Sequence, residues 1–232
     1  MKNIKIEDID IQVIKKGIKN MYISVHKPDG WVRITAPKRM KDEDIWKFAV
    51  SKLGWIKKQR IKYQNLEIQP QKEYVTGEKH YFQGRAYLLN VIYTNKKQKV
   101  EIHNNQMDLY IREDSTREQR EKVMIEWYRS QLKEEIPKFI DKWEQVMGVK
   151  VNSFGVKQMK TKWGTCNTNA KRIWINLELA KMNPKCLEYI VVHEMVHLLE
   201  RYHNKRFYAF MDKYLPGWKE IREELKSIGS LA

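Results

Sequence analysis

The chain has 232 residues, enough to bury a sizeable core as one large domain or two small ones, and 45 Lys and Arg against 29 Asp and Glu give it a net charge of +16. Two cysteines exclude a disulfide framework and point to a reducing compartment. The start, Met1-Lys2-Asn3-Ile4-Lys5-Ile6-Glu7-Asp8, lacks the apolar stretch of a signal peptide, and no run in the chain is long enough to span a bilayer, so a soluble cytoplasmic protein is expected.

In chain order, residues 4–14 and 21–35 alternate apolar with polar and contain the turn signal Lys27-Pro28-Asp29-Gly30, which predicts β-hairpins. Acidic Asp42-Glu43-Asp44 open a helical stretch to about Gln64, with Ile45, Phe48, Ala49, Leu53 and Ile56 on one face. Its other face carries Lys47, Lys52, Lys57, Lys58, Arg60 and Lys62. That face is read as solvated surface in preference to a nucleic-acid contact, with Trp46 and Trp55 assigned to the core. Strands return between Tyr74 and Arg112, separated by Gly77, Gly84 and Asn104-Asn105.

Ser115-Thr116-Arg117-Glu118 predicts a capping box for a helix reaching Gly148, with Pro137 expected to kink or split it. Two short strands follow, near 149–159 and 172–176, joined by a connection over Lys162–Asn167. Asn183-Pro184 then opens a further helix, and residues 204–226 are again helical with a break at Leu215-Pro216-Gly217-Trp218. No internal repeat is visible. The pattern predicts an α+β fold in a single domain, 1–232, with a β-rich part over 1–113 and a helical part over 114–232.

His193-Glu194-Met195-Val196-His197 is an H-E-x-x-H motif in an apolar helical run. Positions 193 and 197 stack on one helix face, so two imidazoles can converge on one metal ion. Glu194 lies about 100° round the helix, placed to act on water rather than on the metal. His203 would stand roughly 15 Å beyond His193 on an unbroken helix, so its joining the pair requires the helix to stop soon after Leu199 and the chain to fold back. The spacing equals that of the metzincins, but Glu200 occupies their glycine position. The reversal is therefore expected to fall to Asn204 or to a strained residue. His26, His80 and His103, scattered singly, are read as surface or satisfied core histidines.

Three segments together resemble one family. They are Trp163-Gly164-Thr165-Cys166 with the strand Ile173-Trp174-Ile175-Asn176, then Tyr189 through His197, then His203-Asn204-Lys205-Arg206-Phe207-Tyr208. The chain is similar to the YgjP-like metal-dependent hydrolases, or metallopeptidases, which are related to the SprT-like and WLM zincins. Thr165 stands where the family carries Ser. The resemblance implies a zincin-like catalytic part with His193, His197 and His203 as metal ligands, and it suggests Trp163 and Asn167 as substrate-binding residues. Cys166 is read as packed or cleft-lining, because three histidines and one water fill a catalytic zinc, and Cys186 as core.

One Zn2+ per chain is expected, although imidazoles also accept nickel, iron and copper. The expected function is zinc-dependent peptide hydrolysis, with Glu194 as the general base. A zinc hydrolase of a nucleotide or other phosphate substrate is the first alternative, motivated by the positive charge. A nucleic-acid-associated module with structural zinc is the second, and it is disfavoured because structural sites normally have four protein ligands.

Overall fold

The computed structural model describes residues 2–26, 29–64 and 72–227. Lys27 and Pro28 of the expected turn, and the side chain of Lys62, lie outside the described residues. The chain forms two compact units, Met1–Gln71 and Lys72–Ala232.

In the first unit, strands β1 (Lys2–Ile6), β2 (Ile9–Lys16), β3 (Tyr22–His26) and β4 (Trp31–Pro37) form a sheet of order β1-β2-β4-β3. The β1–β2 and β3–β4 pairs are antiparallel, while β2 and β4 run parallel, with Ile11 beside Val32 and Val13 beside Ile34. Period-two alternation turns Ile9, Ile11, Val13, Val32 and Ile34 to one face. They form a core with Ile45 and Ala49 of helix α1 (Asp42–Ser51) and Ile56 of helix α2 (Leu53–Gln64).

Trp46 and Trp55, assigned to the core from sequence, are 49% and 43% exposed. Ile45 and Ala49 already fill the inward face of α1, and Trp46 lies about 100° round from Ile45. The basic face is partly neutralised, since Lys47 pairs with Glu43, Lys57 with Glu7 and Arg60 more loosely with Asp8.

The second unit begins with the same strand plan. Strands β5 (Lys79–Phe82), β6 (Arg85–Tyr93), β7 (Lys99–His103) and β8 (Gln106–Ile111) take the order β5-β6-β8-β7, again with two antiparallel outer pairs around a parallel β6–β8 pair. The fold thus contains a repeat that the sequence reading did not find. This sheet shares one core with the following helix, α3 (Arg117–Met147), and both belong to the unit that starts at Lys72.

Helix α3 ties the second unit together. Met124, Tyr128, Leu132, Ile136, Ile140, Trp143 and Met147 form its buried stripe at helical spacing. The Tyr128 hydroxyl donates to the Tyr81 carbonyl at 2.8 Å, Arg129 donates to the Val156 carbonyl at 2.6 Å, and the Trp143 indole donates to Glu188 at 3.1 Å. Its capping box is Thr116 with Gln119, one residue later than expected from sequence. Pro137 neither splits nor ends the helix, its neighbours Ile136 and Ile140 being held in the core.

A third sheet of order β10-β11-β9 follows, from β9 (Ser153–Lys157), β10 (Gly164–Asn167) and β11 (Arg172–Asn176). Strands β9 and β11 are parallel, and β10 is an antiparallel edge strand where the sequence suggested only a connection. A 3-10 turn, Leu177–Lys181, leads to helices α4 (Pro184–Val196), α5 (Lys205–Tyr214) and α6 (Trp218–Ser227). Among the described residues no helix is long and apolar enough to cross a membrane.

Candidate active site

Helix α4 carries the motif, and its start is fixed from two directions. Asn183 caps it, its side chain accepting from the Lys185 N–H at 3.0 Å, with Pro184 at the first helical position. The β5–β6 turn docks on the same segment, Gln83 and Gly84 donating to the carbonyls of Ala180 and Lys181. Gly84 has φ +78°, and a Cβ there would stand 3.2 Å from the Asn183 Cα, so two constraints favour glycine.

The helix ends at Val196. Leu198 and Leu199 donate to the carbonyls of Met195 and Val196, and this tightening of the last turn starts the reversal. No residue from 197 to 204 has positive φ, so the strained residue expected at the missing glycine is not used. Asn204 instead adopts extended backbone and caps α5, its side chain accepting from the Phe207 N–H at 3.0 Å.

This path brings His203 back to the helix. The His193 and His203 Nε2 atoms are 3.1 Å apart, and one nitrogen from each of His193, His197 and His203 lies within 4.8 Å of the others. All three rings rest on Phe207, which is fully buried, with centroids 5.0, 4.8 and 4.6 Å from its own. His197 Nδ1 lies 3.2 Å from the Glu200 carbonyl, so that atom is occupied and Nε2 is left for the cluster.

Burial, reinforced by the neighbouring imidazoles and Arg222, pushes His193 down to about 3, and burial also lowers His197 and His203. The trio is therefore neutral near pH 7, the form that binds a metal.

Glu194 is 4% exposed, and burial pushes its carboxyl up to about 8 against the opposing pull of Lys162. Gly164, the first residue of β10, lies over it. A Cβ at 164 would come within 2.6 Å of Glu194 Oε1 and 2.9 Å of Ile190 Cγ2, so the carboxylate occupies space that only glycine leaves open. Asn176, fully buried, holds this segment. Its amide donates to the carbonyls of Met159 and Lys162 at 2.8 Å each, and its oxygen caps the 3-10 turn at Glu178.

A cleft of about 460 Å³ opens at the motif, lined by Glu194 and His197, by Thr165, Cys166 and Asn167 of β10, and by Lys162 and Arg201. Asn167 thus faces the cleft, and its side-chain oxygen also accepts from the Ala170 N–H. Trp163 is not among the lining residues. It packs against the core, and its indole N–H is buried without a hydrogen-bond partner among the described residues. Cys166 lines the cleft outside the histidine cluster, its thiol pushed up to about 11 by burial and by Glu194, while Cys186 is fully buried.

A family model for the YgjP-like metallopeptidase domain matches residues 19–228. The chain belongs to the YgjP-like metallopeptidase family. This YgjP-like chain is thus a member of a metallopeptidase-type hydrolase family. No curated protein matches it in sequence. Among solved structures it is similar to the metallopeptidase zymogen abylysin of Pyrococcus abyssi, at 18% identity and TM-score 0.37, over 40% of this chain and 92% of that one. It is also similar to the zymogen jannalysin of Methanocaldococcus jannaschii, at 19% identity and TM-score 0.35, over 40% of this chain and 94% of that one.

Gly164 and Asn176 have structural roles at the site that the H-E-x-x-H motif does not reveal, and both lie in the segments that carry the family resemblance. The signal available was a glycine opening a short segment next to the motif's partner strand, and an asparagine at the end of an otherwise apolar strand.

Proposed function

We propose that the protein is a zinc-dependent peptidase in which His193, His197 and His203 hold one metal ion and Glu194 is the general base. The observation that carries this is the convergence of three neutral imidazoles beside a buried carboxylate on an open polar cleft. The donor set fits zinc. Two nitrogens bound tetrahedrally at about 2.0–2.1 Å stand about 3.4 Å apart, close to the 3.1 Å between His193 and His203. Three protein ligands leave the fourth position of a catalytic site.

Zinc, when bound, supplies Lewis acidity that polarises a carbonyl and acidifies water towards about pH 7. The chain's own residues do the rest. Glu194 in its carboxylate form, whose share grows as the pH rises towards its raised value of about 8, takes the proton of the attacking water and delivers it to the nitrogen of the leaving amine. β10 is an edge strand among the described residues, and in this reading an extended peptide pairs with its backbone, with the scissile carbonyl near Glu194 and His197 and with Asn167 as a further donor.

Replacing Glu194 by Gln keeps size and hydrogen bonding but removes the base. Metal content is expected to stay at one per chain while peptide hydrolysis falls by roughly two to four orders of magnitude. Unchanged turnover in that variant would end the assignment.

The second reading, hydrolysis of a phosphate-bearing substrate, draws support from Lys162 and Arg201 at the cleft. Release of phosphate or pyrophosphate from nucleotides, with no amine released from a peptide library, would establish it instead.

A further inference from the structure

We infer that the cleft selects peptides carrying a carboxylate side chain beside the scissile bond, with Arg201 and Lys162 as the recognising cations; this rests on the peptidase reading above. Arg201 lies in the reversal between His197 and His203, and Lys162 lies two residues before the glycine that covers Glu194, so the two cations reach the cleft from different segments of the chain. Neither forms an ion pair among the described residues. The ring contact of Arg201 is with its neighbour Tyr202, at 5.7 Å, and Lys162 acts electrostatically on Glu194.

Arg222 adds to the same field from α6, where it acts on His193 and His203. The acidic group of the cleft itself is Glu194, faced by Lys162, while Glu200 accepts from the Tyr202 N–H and does not line the cleft, so Arg201 is the cation with no acidic partner among the described residues.

The rest of the lining is mainly polar. It includes hydroxyl and amide side chains such as Thr165 and Asn167, and Cys166 with the threonine methyls supplies its small apolar part. An apolar substrate side chain would find little surface to bury against. A carboxylate would find two cations and several hydrogen-bond donors, and the guanidinium of Arg201 can take it in two parallel hydrogen bonds.

The test uses full-length, zinc-loaded protein carrying Glu194→Gln and fluorescent peptide pairs that differ only in Asp or Glu against Asn or Gln next to the central bond. The acidic member is expected to bind at least tenfold more tightly in anisotropy titrations, with the advantage shrinking as salt rises. Arg201 is exposed and its ring contact is with the exposed Tyr202, so Arg201→Glu leaves the buried core in place, and it should shift preference towards Lys and Arg; Lys162→Gln should weaken the acidic preference without inverting it.

Equal affinities within the pairs, or a preference unchanged by both substitutions, would overturn the inference. Tighter binding of ATP than of every acidic peptide would also overturn it, in favour of phosphate. Incubating the unsubstituted protein with the same peptides separates this inference from the reading beneath it. Cleavage without acidic preference defeats the selectivity alone, whereas acidic peptides that bind and are never cut defeat the peptidase reading alone.

Discussion

Gly164 and Glu194 place the tightest steric demand on the site, because the carboxylate oxygen lies where a side chain at 164 would begin. In Gly164→Ala the carboxylate is the movable partner. Glu194 and Ile190 are both buried and both stand within 2.9 Å of the added Cβ, but the unbranched Glu194 side chain can change rotamer more readily than the β-branched Ile190. The expected result is a protein that folds and keeps its metal but loses roughly 100-fold in peptide hydrolysis, the scale at which a displacement of about 1 Å is felt in catalysis. Metal analysis, a thermal melt and kcat on one peptide check this. Unchanged kcat would show that the carboxylate does not depend on the space over it.

Asn176 makes a different demand, since its loss strands two buried carbonyls as well as a cap. Asn176→Ala is expected to cost about 2–4 kcal/mol, from one lost cap and two buried acceptors left unpaired. A denaturant titration measures it, and a loss below 1 kcal/mol would mean that water replaces the amide.

Among the elements, α5 links local structure to the histidine cluster. Asn204 caps it immediately after His203, and the capped N–H belongs to Phe207, the ring on which all three histidines rest. Asn204→Ala should therefore cost about 1 kcal/mol in folding stability, the usual worth of such a cap, and should weaken metal binding as well. Asn204→Asp should restore the cap and recover both. Competition titration with a chromophoric chelator reads the affinity, and a variant with lower stability but unchanged affinity would detach the cap from the site.

Helix α4 was legible because each of its signals is local: Asn183-Pro184 at its start, an apolar run, and the histidine spacing. Strand β10 was not legible. Its four residues, beginning with glycine, show no alternation long enough to signal a strand, and its pairing partner lies beyond an intervening turn. The reversal after α4 was expected to need positive φ, but short-range hydrogen bonds that tighten the last turn, and an extended capping residue, achieve it without one. The repeated four-strand plan was missed because it resides in the order and direction of pairing, while the paired residues themselves differ.

At the scale of the whole molecule, the buried apolar residues among those described form two clusters that share no member. One is built from strands β1–β4 and helices α1 and α2, and the other from everything after residue 72 that packs on α3 and α4. The histidine trio belongs entirely to the second unit. A metal that binds the folded form and not the unfolded one adds stability by mass action, about 4 kcal/mol when free metal exceeds the dissociation constant a thousandfold. That increment acts only on the unit whose unfolding dismantles the site. For a unit of this size each kcal/mol moves the midpoint by about 2–4 °C, so calorimetry of the zinc-loaded protein should show a transition roughly 10 °C higher than after chelation. A second transition, from the core around Ile11, Ile34 and Ile45, should stay where it is. A single transition that moves as one body with metal would show that the two cores unfold together, and replacing His197 by Ala should abolish the metal-dependent shift while leaving the other transition in place.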